Sequence, residues 1–187
     1  ESKKDTVAVR SRDGKQRNGV MLNDFVSEIL EEIKQWNCQL VEVTGGEPLF
    51  QDECIILLDE LLKGNYEVAL ETGGSLPIYN VPKQVIKIVD FKCPSSGMEK
   101  KNLWSIVDDL QSKDEIKFVI GNREDYEWTK KKITEYHLTN KCTVLLSPMF
   151  NQIEPKIIAE WILADSLPVR MQIQIHKYIW DPDRKGV

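Results

Sequence analysis

The sequence predicts an α/β fold, a partial (β/α) barrel of about six or seven mainly parallel strands. Short runs rich in β-branched residues alternate with longer segments of helical period, and glycines and polar residues follow the ends of successive runs. No linker, repeat or low-complexity segment interrupts this order. The 187 residues, 41% hydrophobic and 29% charged, suffice for one sizeable core, so residues 1–187 are expected to form a single domain.

Strands are expected at 6–10 (TVAVR), 40–44 (LVEVT), 66–71 (YEVALE), 86–91 (IKIVDF), 115–120 (EIKFVI), 142–147 (CTVLLS) and 169–175 (VRMQIQI). This number of strands, with helices between them, fits an open barrel better than a complete eightfold one. Asn23 stands where it would cap the first helix, whose Phe25, Val26, Ile29, Leu30 and Ile33 form an apolar stripe. Further helices are expected at about 52–63, closed by Gly64, at 124–136, and at 154–163, where Pro155 falls in the first turn.

The net charge of −5 comes from interspersed acids and bases, which disfavours a nucleic-acid partner and favours a small molecule. No apolar run is long enough to span a membrane. Cys38, Cys54, Cys93 and Cys142 are separated by 16, 39 and 49 positions, form no CxxC pair, and read as buried thiols. No signal peptide opens the chain, so reducing cytoplasm is the expected setting. The start at Glu1-Ser2-Lys3-Lys4, without an initiator Met, hints at missing N-terminal residues.

In parallel α/β folds ligands gather at the carboxyl ends of the strands. Here those ends read Thr44-Gly45-Gly46-Glu47-Pro48, Glu71-Thr72-Gly73-Gly74, Lys92-Cys93-Pro94-Ser95-Ser96-Gly97, Gly121-Asn122, Ser147-Pro148 and Gln174-Ile175-His176-Lys177. Glycine lets backbone approach a ligand closely, and the hydroxyl and charged side chains add directed contacts. One such turn is an ordinary connection; the series points to a broad ligand cleft. No GxGxxG or GxxxxGK[ST] supports dinucleotide or P-loop binding. His137 reads as a surface or capping residue, and His176 as either a cleft residue or a hydrogen-bonded core one. The five tryptophans fall mostly on helical faces and read as packing rather than as stacking platforms.

Thr-Gly-Gly-Glu-Pro at 44–48 resembles the segment with which radical S-adenosylmethionine enzymes hold the methionine part of that cofactor. The segments NCQLVEVTGGEPLFQ, ALETGGSLPIYNVPKQVIKIVDFKCPSSG, DEIKFVIGNREDYEWTKKKI, LLSPMF and AEWILADSLPVRMQIQIHKYIWDPDRKGV, taken in order, resemble the 7-carboxy-7-deazaguanine synthase family over residues 37–187. The resemblance implies ring contraction of 6-carboxy-5,6,7,8-tetrahydropterin to 7-carboxy-7-deazaguanine with loss of ammonia, a lyase reaction of queuosine biosynthesis. It implies S-adenosylmethionine, a 4Fe–4S cluster and Mg2+ as cofactors, and a homodimer. On the same ground, Gly45, Gly46, Glu47, Pro48, Glu71, Thr72, Ser95 and Ser96 are expected to line the cofactor. Glu1, Arg10, Thr44, His176 and Val187 are expected at the substrate, with Arg10 on the family's first strand clamping the substrate carboxylate.

In one place the chain departs from the family. The resemblance implies three cysteines within about eight residues after the first strand, holding three irons of the cluster. Here that place reads SRDGKQRNGVML, residues 11–22, without cysteine, and an Asp-Thr pair that would serve magnesium is not found after it. Two readings stay open: a stretch, with an N-terminal portion, is missing from the sequence, or the chain is a cluster-less relative that binds pterin or S-adenosylmethionine without radical chemistry.

Overall fold

The computed structural model describes residues 6–10, 16–182 and 184, with side chains from residue 16 onward. Thr6–Arg10 (β1) pairs antiparallel with Gln16–Met21 (β2). This corrects the expectation that 6–10 opens the parallel sheet. A neighbouring strand joined by a short connection takes up its ladder hydrogen bonds, which is the pairing of least loop cost. The strand at 16–21 had no clear alternation in sequence to announce it.

Leu40–Val43 (β3), Glu67–Thr72 (β4), Ile86–Phe91 (β5), Glu115–Ile120 (β6), Thr143–Pro148 (β7) and Arg170–Met171 (β8) form one parallel sheet in the order of the chain. An order that never reverses belongs to a barrel wall, not to a doubly wound sheet. β3 and β8 do not pair with each other, so the wall is open. β8 is much shorter than the expected 169–175. It is an edge strand with one partner, and after Gln172 donates to the Leu146 carbonyl at 3.0 Å the chain turns into the short helix His176–Ile179.

The longer helices are Leu22–Lys34 (α1), Cys54–Lys63 (α2), Arg123–Glu135 (α4) and Pro155–Ala164 (α6), with single turns at Ile106–Asp109 (α3) and Leu138–Lys141 (α5). Met21, not Asn23, occupies the cap of α1; Asn23 lies in its first turn, where its carbonyl accepts from Ser27 Oγ. Asn122 caps α4 by accepting from Asp125 N at 2.9 Å, and Pro155 begins α6, where its missing N–H costs nothing.

β5 and β6 alternate between buried and half-buried residues, whereas β4 and β7 are buried over longer runs. Val68, Leu70, Val89, Phe91, Ile116, Phe118, Val144 and Leu146 face Leu58, Leu61, Tyr126, Ile133 and Ile158 of the helices in one buried core. Phe91 and Phe118 are fully buried there, worth roughly 1.5–3 kcal/mol each. Trp104 stacks on Phe91 and Tyr136, as expected of a packing tryptophan, whereas Trp36 is 73% exposed. The intervening residues, including Glu71, Asp90 and Lys117, point to the opposite face.

One charge pair is enclosed at the amino ends of the strands. Asp114 accepts from Lys87 N at 2.9 Å and Gln111 N at 2.8 Å, and its carboxylate meets Lys87 Nζ at 3.1 Å. Asp114→Ala would strand a buried ammonium and two N–H groups, so urea unfolding should show a loss of about 3–5 kcal/mol. An unchanged midpoint would contradict this role.

Candidate active site

The turn Thr44–Pro48 follows β3, and its geometry begins with Glu47. That carboxylate accepts from Thr72 Oγ1 at 2.9 Å, from Gly73 N at 2.7 Å and from Leu49 N at 3.1 Å. It therefore ties the end of β3 to the end of β4 and caps the 3-10 turn Pro48–Phe50. Gly73 eases this approach, since a Cβ there would stand 3.3 Å from Glu47 Oε2, a tight contact. Gly45 and Gly46 have φ of +99° and +59°, which other residues adopt only with strain. Both are exposed, and among the described residues neither donates a backbone hydrogen bond. Pro48 is buried beneath them.

Ser95 and Ser96 occupy the turn after β5. Fully buried Asp125, at the start of α4, accepts from Ser95 N at 2.9 Å, from Ser95 Oγ and from Gly121 N at 2.9 Å, joining the ends of β5 and β6. Ser96 Oγ donates to the Cys93 carbonyl at 2.6 Å and accepts from Met98 N at 3.2 Å. Both hydroxyl protons are thus used internally, which leaves the two oxygens as acceptors only.

On the inner face of the sheet a cleft of about 400 Å3 is bounded by Glu42, Thr44, Glu71, Lys117, Ser147 and the segment 172–176, which includes His176. His176 belongs to the short helix rather than to a strand end, and it lines this cleft. Thr44 Oγ1 donates to Glu71 Oε2 at 3.3 Å, and Lys117 pairs with Glu71 Oε1 and lies 3.7 Å from Asp90. Lys92 meets Asp90 at 3.1 Å. Burial by itself would lower the Lys117 ammonium, but its bond to Glu71 and the charges of Asp90, Glu71 and Glu42 outweigh that and raise it. Burial and then the Glu71 carboxylate push the Glu42 carboxyl above the usual range, although Glu42 sits at the exposed rim. Another cavity of about 430 Å3, lined by Thr139, Lys141 and Arg170 among others, opens at the amino ends of β7 and β8, away from these turns.

The structure thus brings Thr44, Gly45, Gly46, Glu47, Glu71 and Thr72 together at one end of β3 and β4, with Ser95 and Ser96 at the end of β5. Glu1 and Val187 lie outside the described residues, as does the side chain of Arg10, whose strand pairs only with β2. Glu42, Asp90, Lys117 and Asp125 were not picked out from sequence. The charged residue inside each of VEV, VDF and IKF was the available signal.

These features define a partial α/β barrel with an open cleft on its inner face. No protein-family model matches the chain. It is 42% identical over 165 residues to a 7-carboxy-7-deazaguanine synthase of Chlorobaculum tepidum, covering 87% of this chain and 75% of that one. It is also 42% identical over 162 residues to the synonymous protein of Koribacter versatilis, covering 79% and 72%. The crystal structure of QueE from Escherichia coli shares the fold with a TM-score of 0.64 at 20% identity, over 83% of this chain and 64% of that one. Streptococcus suis SuiB, solved with S-adenosylmethionine bound, gives 0.58 at 11% identity, over 82% and 42%. The chain belongs to the 7-carboxy-7-deazaguanine synthase family.

The cysteines were expected to be buried, and three are. Cys54, Cys93 and Cys142 are enclosed, and Cys38 is exposed. Burial, the largest cause, pushes the thiols from an ordinary 9.0 up to about 11 for Cys54 and about 12 for Cys93 and Cys142. The folded chain therefore holds these protons more tightly than the unfolded chain. Their contribution is intact below about pH 9 and is lost as pH rises toward 11–12. At neutral pH Ellman's reagent should label Cys38 rapidly and the other three only after denaturation. Rapid native labelling of a second thiol would contradict this arrangement.

Proposed function

We propose that the chain acts as a 7-carboxy-7-deazaguanine synthase, holding S-adenosylmethionine at the Gly45–Gly46 rim and 6-carboxy-5,6,7,8-tetrahydropterin in the cleft beside it. The observation that carries this reading is the convergence of the β3, β4 and β5 turns on one end of the sheet. There two exposed glycine N–H groups suit a ligand carboxylate, and Glu47 is fully occupied in holding them in place. Ser95 and Ser96 would accept hydrogen bonds from the same cofactor. Thr44 and His176 would border the pterin, and Glu71, fixed by Lys117, would orient it. The net reaction removes ammonia from the substrate and is redox-neutral overall. A reducing cytoplasm and a homodimer accompany this proposal by family resemblance.

A 4Fe–4S cluster, when bound, supplies the electron that cleaves S-adenosylmethionine in radical enzymes. The residues of this chain do not fit it. No group of three Cys, His, Asp or Glu side chains suited to a metal occurs among the described residues, and the four cysteines are scattered, three of them buried. The same test finds no magnesium site among the described residues, where Glu71 and Asp90 are already paired with lysines. No step is therefore assigned to either group.

That misfit favours a second reading, a protein that binds the same two ligands without radical chemistry. Anaerobic reconstitution with iron and sulfide, reduction by dithionite, and chromatography for 5′-deoxyadenosine and 7-carboxy-7-deazaguanine separate the two. Formation of both products establishes the synthase. Calorimetric binding of S-adenosylmethionine and the pterin without either product establishes the binding protein, and binding of neither rejects the site.

A further inference from the structure

We propose that Glu42 selects the substrate by accepting a pair of hydrogen bonds from its amino-pyrimidinone edge, the 2-amino group and N3–H of the pterin. The inference rests on the pterin reading of the cleft and assigns the group that reads the ring.

Of the carboxylates on the inner face, Glu71, Asp90 and Glu115 have cations, Glu115 through Arg170 at 3.9 Å. Glu71 is held by Lys117, and Asp90 by Lys92 and Lys117. Glu42 is different. Among the described residues it makes no hydrogen bond or ion pair, yet it borders the cleft and stands two positions before Thr44, on the same face of β3. Burial and the neighbouring Glu71 and Glu115 oppose its charge more than Lys117 supports it, so an incoming pair of donors would favour the charged form.

The chemical class of ligand follows from geometry and charge. A carboxylate presents two parallel acceptors, which match a planar edge carrying two adjacent N–H donors and oppose an edge that places a carbonyl there. Glu42, the carboxylate without a cation, repels the substrate's own carboxylate, which would therefore lie across the cleft toward the segment 172–176. Ring edge and carboxylate are thus sorted to opposite sides of the cleft, and the orientation of the substrate is set.

Isothermal titration of the full chain with 6-carboxypterin and with 6-carboxylumazine, in which a carbonyl replaces the 2-amino group, tests this directly. Wild type should prefer the pterin by roughly tenfold or more, the usual weight of hydrogen bonds to a charged group. Glu42→Ala should lose about that factor for the pterin and become indifferent between the two. Glu42→Gln, whose amide can donate to the lumazine carbonyl, should narrow or reverse the preference. S-adenosylmethionine affinity, measured on each variant, should stay at the wild-type value. If Glu42→Ala keeps the wild-type preference, the assignment to Glu42 is wrong while the pterin reading stands. If wild type binds S-adenosylmethionine but neither pteridine, the pterin reading fails and this inference with it.

Discussion

The site depends on where one carboxylate spends its hydrogen bonds. Glu47 follows two glycines whose positive φ sets the turn, and its carboxylate holds the flanking chain from both sides. Thr72 and Gly73 on the next strand provide one anchor, and Leu49 in the following turn provides the other. The glycines are left exposed with free N–H groups because the side chain beside them is committed inward. Asp125 repeats the device between the ends of β5 and β6, so two carboxylates clamp the rim of the sheet.

A second constraint acts along the strands. Parallel sheets covered on both faces read as continuous apolar runs. In this sheet Glu71, Asp90 and Lys117 interrupt those runs at alternate positions, with Asp90 and Lys117 opposite each other in register. Such residues are tolerated because they neutralise one another and border a cleft in place of a packed barrel interior. Asp90 Oδ1 remains buried without a hydrogen-bond partner, a cost retained at the centre of this network.

Much of this was legible in the sequence. Five of the parallel strands fall within one residue of expectation, because short β-branched runs between helical segments leave few alternatives. The glycine-rich turns also announced themselves through chemistry that packing does not need. What escaped notice was non-local. The pairing of β1 with β2 and the short reach of β8 depend on which partner claims a strand's hydrogen bonds, which no single segment encodes. Lys117 and Asp125 looked like ordinary charges in a strand and a helix until their partners, 46 and 30 positions away, came into view. That residues 11–22 carry no cysteine was legible in the sequence itself.

On the proposed reading, the turns after β3, β4 and β5 form one ligand-binding rim. Amide hydrogen exchange of the full chain, with and without S-adenosylmethionine, reads those turns individually. Binding at that rim slows exchange in peptides spanning 44–48, 71–74 and 93–97 and leaves residues 139–143 and 170 unchanged. Protection confined to the amino ends of β7 and β8, or no protection at saturating ligand, would contradict it.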